Sequence, residues 1–225
     1  MKIALLLTGH SRSWKTCFPS LKKYVLDKYN PDIFIHTWDT PNIKTLNSPF
    51  LYDEEHFEEY FKPVKIVYEN LEKLTSYITK KSNYFTKIGP YDSPFITISQ
   101  HRKWFLCNKL KSEYEKEHGF KYDLVIKARP DLIYYSDINL ETFDDPSVVY
   151  TCNECSYETV SDLFTVSTSQ NIDKYCKIYF NDRRIYDKYL NTRYGIFNPH
   201  NVLMNYFKDI NLQYVKINMN IDIKR

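Results

Sequence analysis

Glycine is scarce in this chain, with 4 in 225 residues, and the scarcity removes whole classes of chemistry. Neither G-x-x-x-x-G-K-[S/T] nor G-x-G-x-x-G occurs, so the glycine-rich phosphate loops of P-loop and dinucleotide-binding proteins have no counterpart. No stretch approaches the roughly 18 apolar residues that cross a bilayer. The first apolar run, Ile3 to Leu7, falls short of the roughly 7–15 residues of a signal-peptide core, and no small-residue cleavage site follows it. Charge of one sign is lacking too. Thirty-one Lys and Arg face 28 Asp and Glu, for a net +3, too balanced for a nucleic-acid binder held by bulk charge. The five cysteines (Cys17, Cys107, Cys152, Cys155 and Cys176) are odd in number and scattered. They make no disulfide framework and point to a reducing, cytosolic compartment. Cys152 and Cys155 form a C-x-x-C, but the second pair that structural zinc requires is missing. Asn153 and Glu154 place this pair in a polar, turn-like stretch, whereas a redox pair opens a helix. No Ser-His-Asp or Cys-His set supports a hydrolase.

What remains is ordinary globular material. The chain is 43% hydrophobic and 26% charged, which excludes disorder and collagen-like or low-complexity architectures and suffices for one sizeable core. Its aromatic content is 17%, with 21 Tyr; a Tyr- and Lys-rich, Gly-poor bias fits an A/T-rich genome as well as a function. There is no internal repeat and no linker, so one domain is the economical reading.

The run Ile3 to Leu7 has the pattern of a strand covered on both faces, as in a parallel sheet. It breaks into the polar loop Thr8 to Ser13, and a helix carrying Leu21, Tyr24, Val25 and Tyr29 on one face follows. Asn30-Pro31 ends that helix, and Asp32 to Trp38 reads as a second strand. This β-loop-α-β opening is the start of an α/β fold. A short helix is expected over Asp53 to Phe61, a third strand over Val64 to Tyr68, and a loop over 80–94. An amphipathic helix then runs from about Phe95 to His118 and stops at Gly119. Tyr122 to Ala128 is the fourth strand. Ser147 to Tyr150 and Leu163 to Ser167 are further strands, and the tail from Gln170 reads as mostly helical, with Asn198-Pro199 opening a helix over His200 to Phe207.

In open α/β sheets ligands bind beyond the carboxyl ends of the strands. The rule selects Thr8 to Ser13, His36 to Asp39 and Arg129 to Asp131. In Arg129-Pro130-Asp131 the proline fixes its own φ and holds Arg129 extended, presetting the side-chain directions. Asp131 can ligate a hard divalent cation and Arg129 can grip a phosphate in bidentate fashion; a plain strand-end salt bridge explains the tripeptide equally well. Arg12, near the backbone amides around Gly9, suits a diphosphate or is a surface arginine. His36, Trp38 and Asp39 offer stacking and hydroxyl-binding groups, or His36 and Trp38 are core. Asp162 can serve as a general base or sugar-hydroxyl acceptor, or as strand-opening turn chemistry.

The succession Ala4-Leu5-Leu6-Leu7-Thr8-Gly9-His10-Ser11-Arg12-Ser13, Asp32-Ile33-Phe34-Ile35-His36-Thr37-Trp38-Asp39, Ile98-Ser99-Gln100, Tyr122 to Leu132 around Arg129-Pro130-Asp131, and Ser161-Asp162-Leu163-Phe164 resembles small GT-A glycosyltransferases. The likeness is to the capsid-glycosylating domains of large DNA viruses such as chloroviruses, and to related bacterial proteins, over residues 2–207. It implies a Rossmann-like, mostly parallel central sheet flanked by helices in a single domain 1–225. The nucleotide-binding half would be about 1–135 and the acceptor side about 136–225. It also implies a UDP- or GDP-sugar donor, a glycan or glycoprotein acceptor, and a divalent Mn²⁺ or Mg²⁺. By resemblance, Thr8, Gly9, His10, Arg12, His36, Trp38, Asp39, Gln100, Lys103 and Arg129 bind the donor, Asp162 and Arg129 are catalytic, and Asp131 and His200 hold the metal. The site would work in the cytoplasm, the host's if the chain is viral. The chain departs from the family's D-x-D pattern, with Arg129 in place of the first Asp. Two further readings stay open: a GT-A-shaped module that binds nucleotide sugar or glycan without turnover, and a nucleotidyltransferase, which would lack its usual Gly-rich, Lys-bearing first loop.

Overall fold

The structure is a computed structural model describing residues 1–10, 12–38, 57–85, 93–153, 159–192 and 195–224, with the backbone alone for Leu71 and Glu72. β1 (Ile3–Thr8) is followed by α1 (Trp14–Leu21), which passes through a π-helical turn, Lys22–Leu26, into α2 (Asp27–Tyr29). Asn30 ends this helix at φ +44 before Pro31, whose ring cannot continue it. Then come β2 (Asp32–Trp38), α3 (Phe57–Phe61), β3 (Lys65–Glu69), α4 (Leu71–Ser82), α5 (Pro94–His118), β4 (Leu124–Ala128), β5 (Leu132–Tyr134), β6 (Val149–Cys152) and β7 (Phe164–Ser167). The chain closes with α6 (Ser169–Cys176), α7 (Asp182–Ile185), α8 (Pro199–Asp209), β8 (Tyr214–Ile217) and β9 (Ile221–Ile223).

Seven strands form one sheet in the order β3-β2-β1-β4-β7-β6-β8. β3, β2, β1 and β4 run parallel; β7 is antiparallel to both β4 and β6, and β8 is parallel to β6. This is the mostly parallel sheet flanked by helices that the resemblance implies, and residues from both halves of the chain build it as a single domain. Alternation along β1 explains the two covering layers. Ala4 and Leu6 pack with Phe34, Ile98, Trp104 and Val125 beneath α5, while Ile3, Leu5 and Leu7 pack with Trp14, Leu21, Ile33 and Ile126 on the α1 side. Successive strand residues point to opposite faces, so a strand apolar at every position needs both layers.

The tail corrects the sequence reading. After α8 the chain returns as β8, which extends the sheet along β6, and as β9, which pairs antiparallel with β5. β8 and β9 are short and their apolar pattern is broken by Lys216 and Asp222, so the sequence signal is weak. α4 is a further element that the sequence reading did not single out; it is capped by the Asn70 side chain accepting from Lys73 N at 2.8 Å. The expected helix over Asp53 to Phe61 is seen for Phe57–Phe61, its first four residues lying outside the described ones.

Candidate active site at the strand tips

β2, β1 and β4 are neighbours in register, Thr8 beside His36 and Leu7 beside Ala128. Their carboxyl ends therefore open at one place. β7 runs the other way, with Phe164 opposite Ala128, so Asp162, just before β7, arrives at the same end. Four separate segments of chain converge here because of strand direction alone.

The β1 loop leaves the sheet through Gly9 at φ +114, a conformation that suits glycine. Thr37 Oγ1 donates to Gly9 O at 2.7 Å and fixes the exit. Arg12 is held at φ +41, a left-handed conformation costing an arginine ~1 kcal/mol, and its guanidinium reaches Asp131 Oδ2 at 3.3 Å. From the other side Arg129 forks onto the same carboxylate, Nε to Oδ1 at 2.8 Å and Nη2 to Oδ2 at 2.7 Å. Asp131, 1% exposed, thus joins the β1 loop to the β4 tip. Burial works against the Arg129 charge, but Asp131 raises its pKa overall. The far end of the chain ties this cluster down: Lys224 N donates to Asp131 O at 3.0 Å, and Ser13 Oγ donates to Lys224 O.

Around this pair sits more positive charge. Lys103, on the first turns of α5, donates to Thr37 O at 2.8 Å and to Glu69 Oε2 at 3.0 Å, and its ammonium stands 3.3 Å over the Trp38 ring. Arg102 donates twice to Glu69 Oε1, with Nε at 3.2 Å and Nη2 at 2.5 Å. Despite its burial, the Glu69 carboxyl is held below the usual range by Arg102 and Lys103. His10 is pushed down to about pKa 3 by burial first, then by Arg12, Lys103 and Arg129. His36 is also pushed down to about 3, by burial and then by Lys103. Both imidazoles are neutral near pH 7.

Asp162 forms the second centre. Its carboxylate accepts from Gln100 Nε2, and His200 Nδ1 lies 3.5 Å from Oδ1. Burial pushes its pKa up, but His200, Arg129 and Lys127 outweigh that and hold it ionised. His200 Nδ1 is also 3.2 Å from Val160 O, so that nitrogen carries the proton in this hydrogen bond.

The structure therefore brings together Gly9, His10, Arg12, Gln100, Lys103, Arg129, Asp131, Asp162 and His200. Three expected donor ligands sit lower. Thr8, His36 and Trp38 are 2%, 3% and 6% exposed; they share the sheet face that α5 covers, with Trp38 in the apolar core and one ring face taken by Lys103. Strand alternation makes them support for the site's floor rather than its wall. Thr8 Oγ1 and His36 Nδ1 find no hydrogen-bond partner there among the described residues. Asp39 lies outside the described residues.

Sequence reasoning missed Glu69, Arg102 and Lys127. Glu69 ends β3, so the strand-tip rule that selected the other loops selects it as well. Lys127 is 0% exposed within β4; burial lowers its pKa to about 8. It donates to Asp162 O at 2.6 Å and lies 4.2 Å over the Trp104 ring. A lysine inside a strand apolar on both faces has to be buried and paired, which was the available signal.

The chemistry of the donor set among the described residues does not fit a resident divalent ion. Both Asp131 oxygens already accept from guanidiniums, and Asp162 is engaged by Gln100 and faces His200. Among the described residues no group of three or more His, Cys, Asp or Glu is placed to hold a metal. A dication at Asp131 would meet two guanidiniums at contact distance, repulsion that one carboxylate does not offset. Asp131 and His200 are accordingly read as partners of protein charges. A cavity of about 300 Å³ lies away from the strand tips, on the β5–β9 side, between Ile138, Phe143 and Met219.

A scan against protein-family models and a search of curated proteins each find no match to the sequence. Solved structures with a similar course of chain include the apo-form glycosyltransferase GlyE of Streptococcus pneumoniae TIGR4. It has a TM-score of 0.49 and 10% identity, covering 96% of this chain and 45% of that one. A second GlyE structure gives 0.47 at 14% identity over 96% and 46%. Mouse xyloside xylosyltransferase 1 in its apo form gives 0.43 at 11% identity over 96% and 84%. This chain spans less than half the length of GlyE. No helix among the described residues is long and apolar enough to cross a membrane.

Proposed function

We propose that this chain is a glycosyltransferase that moves a sugar from a nucleoside-diphosphate donor, UDP- or GDP-linked, to a hydroxyl of a glycan or glycoprotein. The observation that carries the reading is the meeting of Arg12 and Arg129 on Asp131, at the carboxyl ends of adjacent parallel strands. It places two guanidiniums, with Lys103 close by, where an open α/β sheet binds its ligand. The sequence resemblance assigns the same segments to donor binding.

In this reading the diphosphate lies against Arg12 and Arg129, with its sugar toward Asp162. The bond between the anomeric carbon and the phosphate oxygen breaks, its electron pair leaves with the nucleoside diphosphate, and the guanidiniums stabilise the charge that grows there. The acceptor oxygen bonds to the anomeric carbon, and its proton passes to Asp162, which is ionised and therefore able to take it. Asp162 also offsets positive charge at the anomeric carbon. Gln100 orients the carboxylate, and Lys127, bound to the Asp162 carbonyl, anchors the backbone that carries it.

The test is to incubate the protein with UDP- and GDP-sugars and candidate acceptors and to follow release of nucleoside diphosphate. Release is expected to fall at least a hundredfold in Asp162→Asn, with nucleotide binding preserved. Absence of release and of binding for every common donor, with Asp162→Asn and wild type alike, rejects the reading. Tight nucleotide binding without any release selects the module that binds without turnover.

A further inference from the structure

We infer that this chain grips its donor diphosphate without a divalent ion, the guanidiniums of Arg12 and Arg129 taking the place of the metal and Asp131 holding them in position. The inference rests on the functional reading above and concerns how the same site recognises its ligand.

Three observations lead to it. Asp131, the acidic residue at the tip of β4, is 1% exposed, and both its oxygens accept guanidinium N–H groups. A ligating carboxylate needs a lone pair facing the ion, and here three of the roughly four acceptor sites face arginine, both of those on Oδ2 among them. Second, Arg129 uses two of its five donors, Nε and one from Nη2, on one edge of its plane; the remaining donors point away from Asp131 and are of the kind that meets phosphate oxygens in pairs. Pro130 keeps Arg129 extended, and the main-chain bond from Lys224 N to Asp131 O holds the other end of the tripeptide. Third, guanidiniums crowd the one carboxylate at the β4 tip, Arg12 at 3.3 Å and Arg129 at 2.7 Å from the same oxygen. A diphosphate is attracted to this pair, whereas a divalent cation is repelled by it. Within the cluster Asp131 is a positioning residue: it neutralises part of the arginine charge and keeps both side chains aimed at one space.

The experiment is calorimetric titration of the full chain with UDP and with GDP, in EDTA and again in Mn²⁺, with circular dichroism to confirm folding of each variant. The expected result is a Kd that agrees within twofold between EDTA and Mn²⁺ for whichever nucleotide binds. Arg12→Ala is expected to weaken binding at least tenfold in both conditions. Because Arg129→Ala strands the buried Asp131 and risks misfolding, the second variant is the double substitution Arg129→Met with Asp131→Asn. It removes the pair together and is expected to fold and to lose binding. Affinity at least tenfold tighter in Mn²⁺ than in EDTA overturns the inference and leaves the functional reading standing. So does undiminished binding by either folded variant. No binding of either nucleotide under any condition, by folded protein, overturns both.

Discussion

Two of the charge clusters along α5 differ in one respect. Toward its C-terminal half, Lys111, fully buried, donates to Ser169 Oγ at 2.6 Å and Asp173 Oδ1 at 2.9 Å and lies 3.4 Å from Glu115. Glu115 also accepts from Lys121, Ser169 and Tyr122 N, while Asp173 accepts from Asn108 and Ser112. Two lysines face two carboxylates, and the network closes on itself. At the opposite end of the helix the cations Arg12, Arg129, Arg102 and Lys103 gather at the strand tips, and after burial their charge helps to keep His10 and His36 neutral. A closed, neutral network positions helix, strand and loop relative to one another. A guanidinium such as that of Arg129, held at a strand switch point with its other donors turned away from Asp131, is arranged for something that arrives from outside.

The comparison can be broken most forcefully at Lys111. Lys111→Met leaves the buried Glu115 and the half-buried Asp173 with only Lys121 between them, and removing one partner from such a network costs about 3 kcal/mol. Urea denaturation is expected to show that loss, while nucleotide affinity of the folded fraction at low temperature stays within twofold of wild type. A comparable loss of affinity would mean that the two ends are coupled.

Acid sharpens the contrast next. His10 and His36 have folded pKa values lowered to about 3 from an ordinary 6.5, so below pH 6.5 the unfolded chain takes up protons that the folded chain refuses. Stability is full above pH 6.5 and falls as the pH drops toward 3. Between pH 6.5 and 5, above the range of most carboxylates, each histidine is expected to account for a loss on the order of 1–2 kcal/mol. Thermal melts of wild type and His36→Gln over that interval check it; equal slopes in the two proteins would remove His36 from the account.

The smallest expected effect is at Arg12. Arg12→Gly relieves the left-handed backbone and forfeits the ion pair with Asp131, two changes of opposite sign that leave stability within ~1 kcal/mol. Nucleotide affinity is nevertheless expected to drop at least tenfold. A stability change of several kcal/mol in chemical denaturation would show Arg12 to be chiefly structural.

The legible parts of the fold were those with burial on both faces. Ile3 to Leu7, Ile33 to Ile35 and Val125 to Ala128 are apolar without a gap apart from Lys127, and their strand assignments follow directly from that pattern. β8 and β9 lie at an edge or in a two-stranded pair, where Val215, Lys216 and Asp222 face water and blur the period. The same asymmetry governs the site. Arg129-Pro130-Asp131 stood out because proline flanked by opposite charges ends an apolar run, and the strand-tip rule brought Arg12 beside it. Trp38 and His36 read as pocket residues from sequence because nothing there shows which sheet face α5 covers. Glu69 was passed over because β3 is half-exposed and its tip resembles surface, although the strand-tip rule selects it, and Arg102 on α5 gains its meaning only from pairing with Glu69.

The pairing of β9 with β5 has a practical consequence. Residues 221–224 are threaded back to the strand tips, where Lys224 touches both the segment carrying Arg12 and the main chain of Asp131. Removing that last short stretch, whether by a protease or by a shortened gene, unfastens the two arginines from each other while the main sheet keeps its shape, so such a protein would look intact and work poorly.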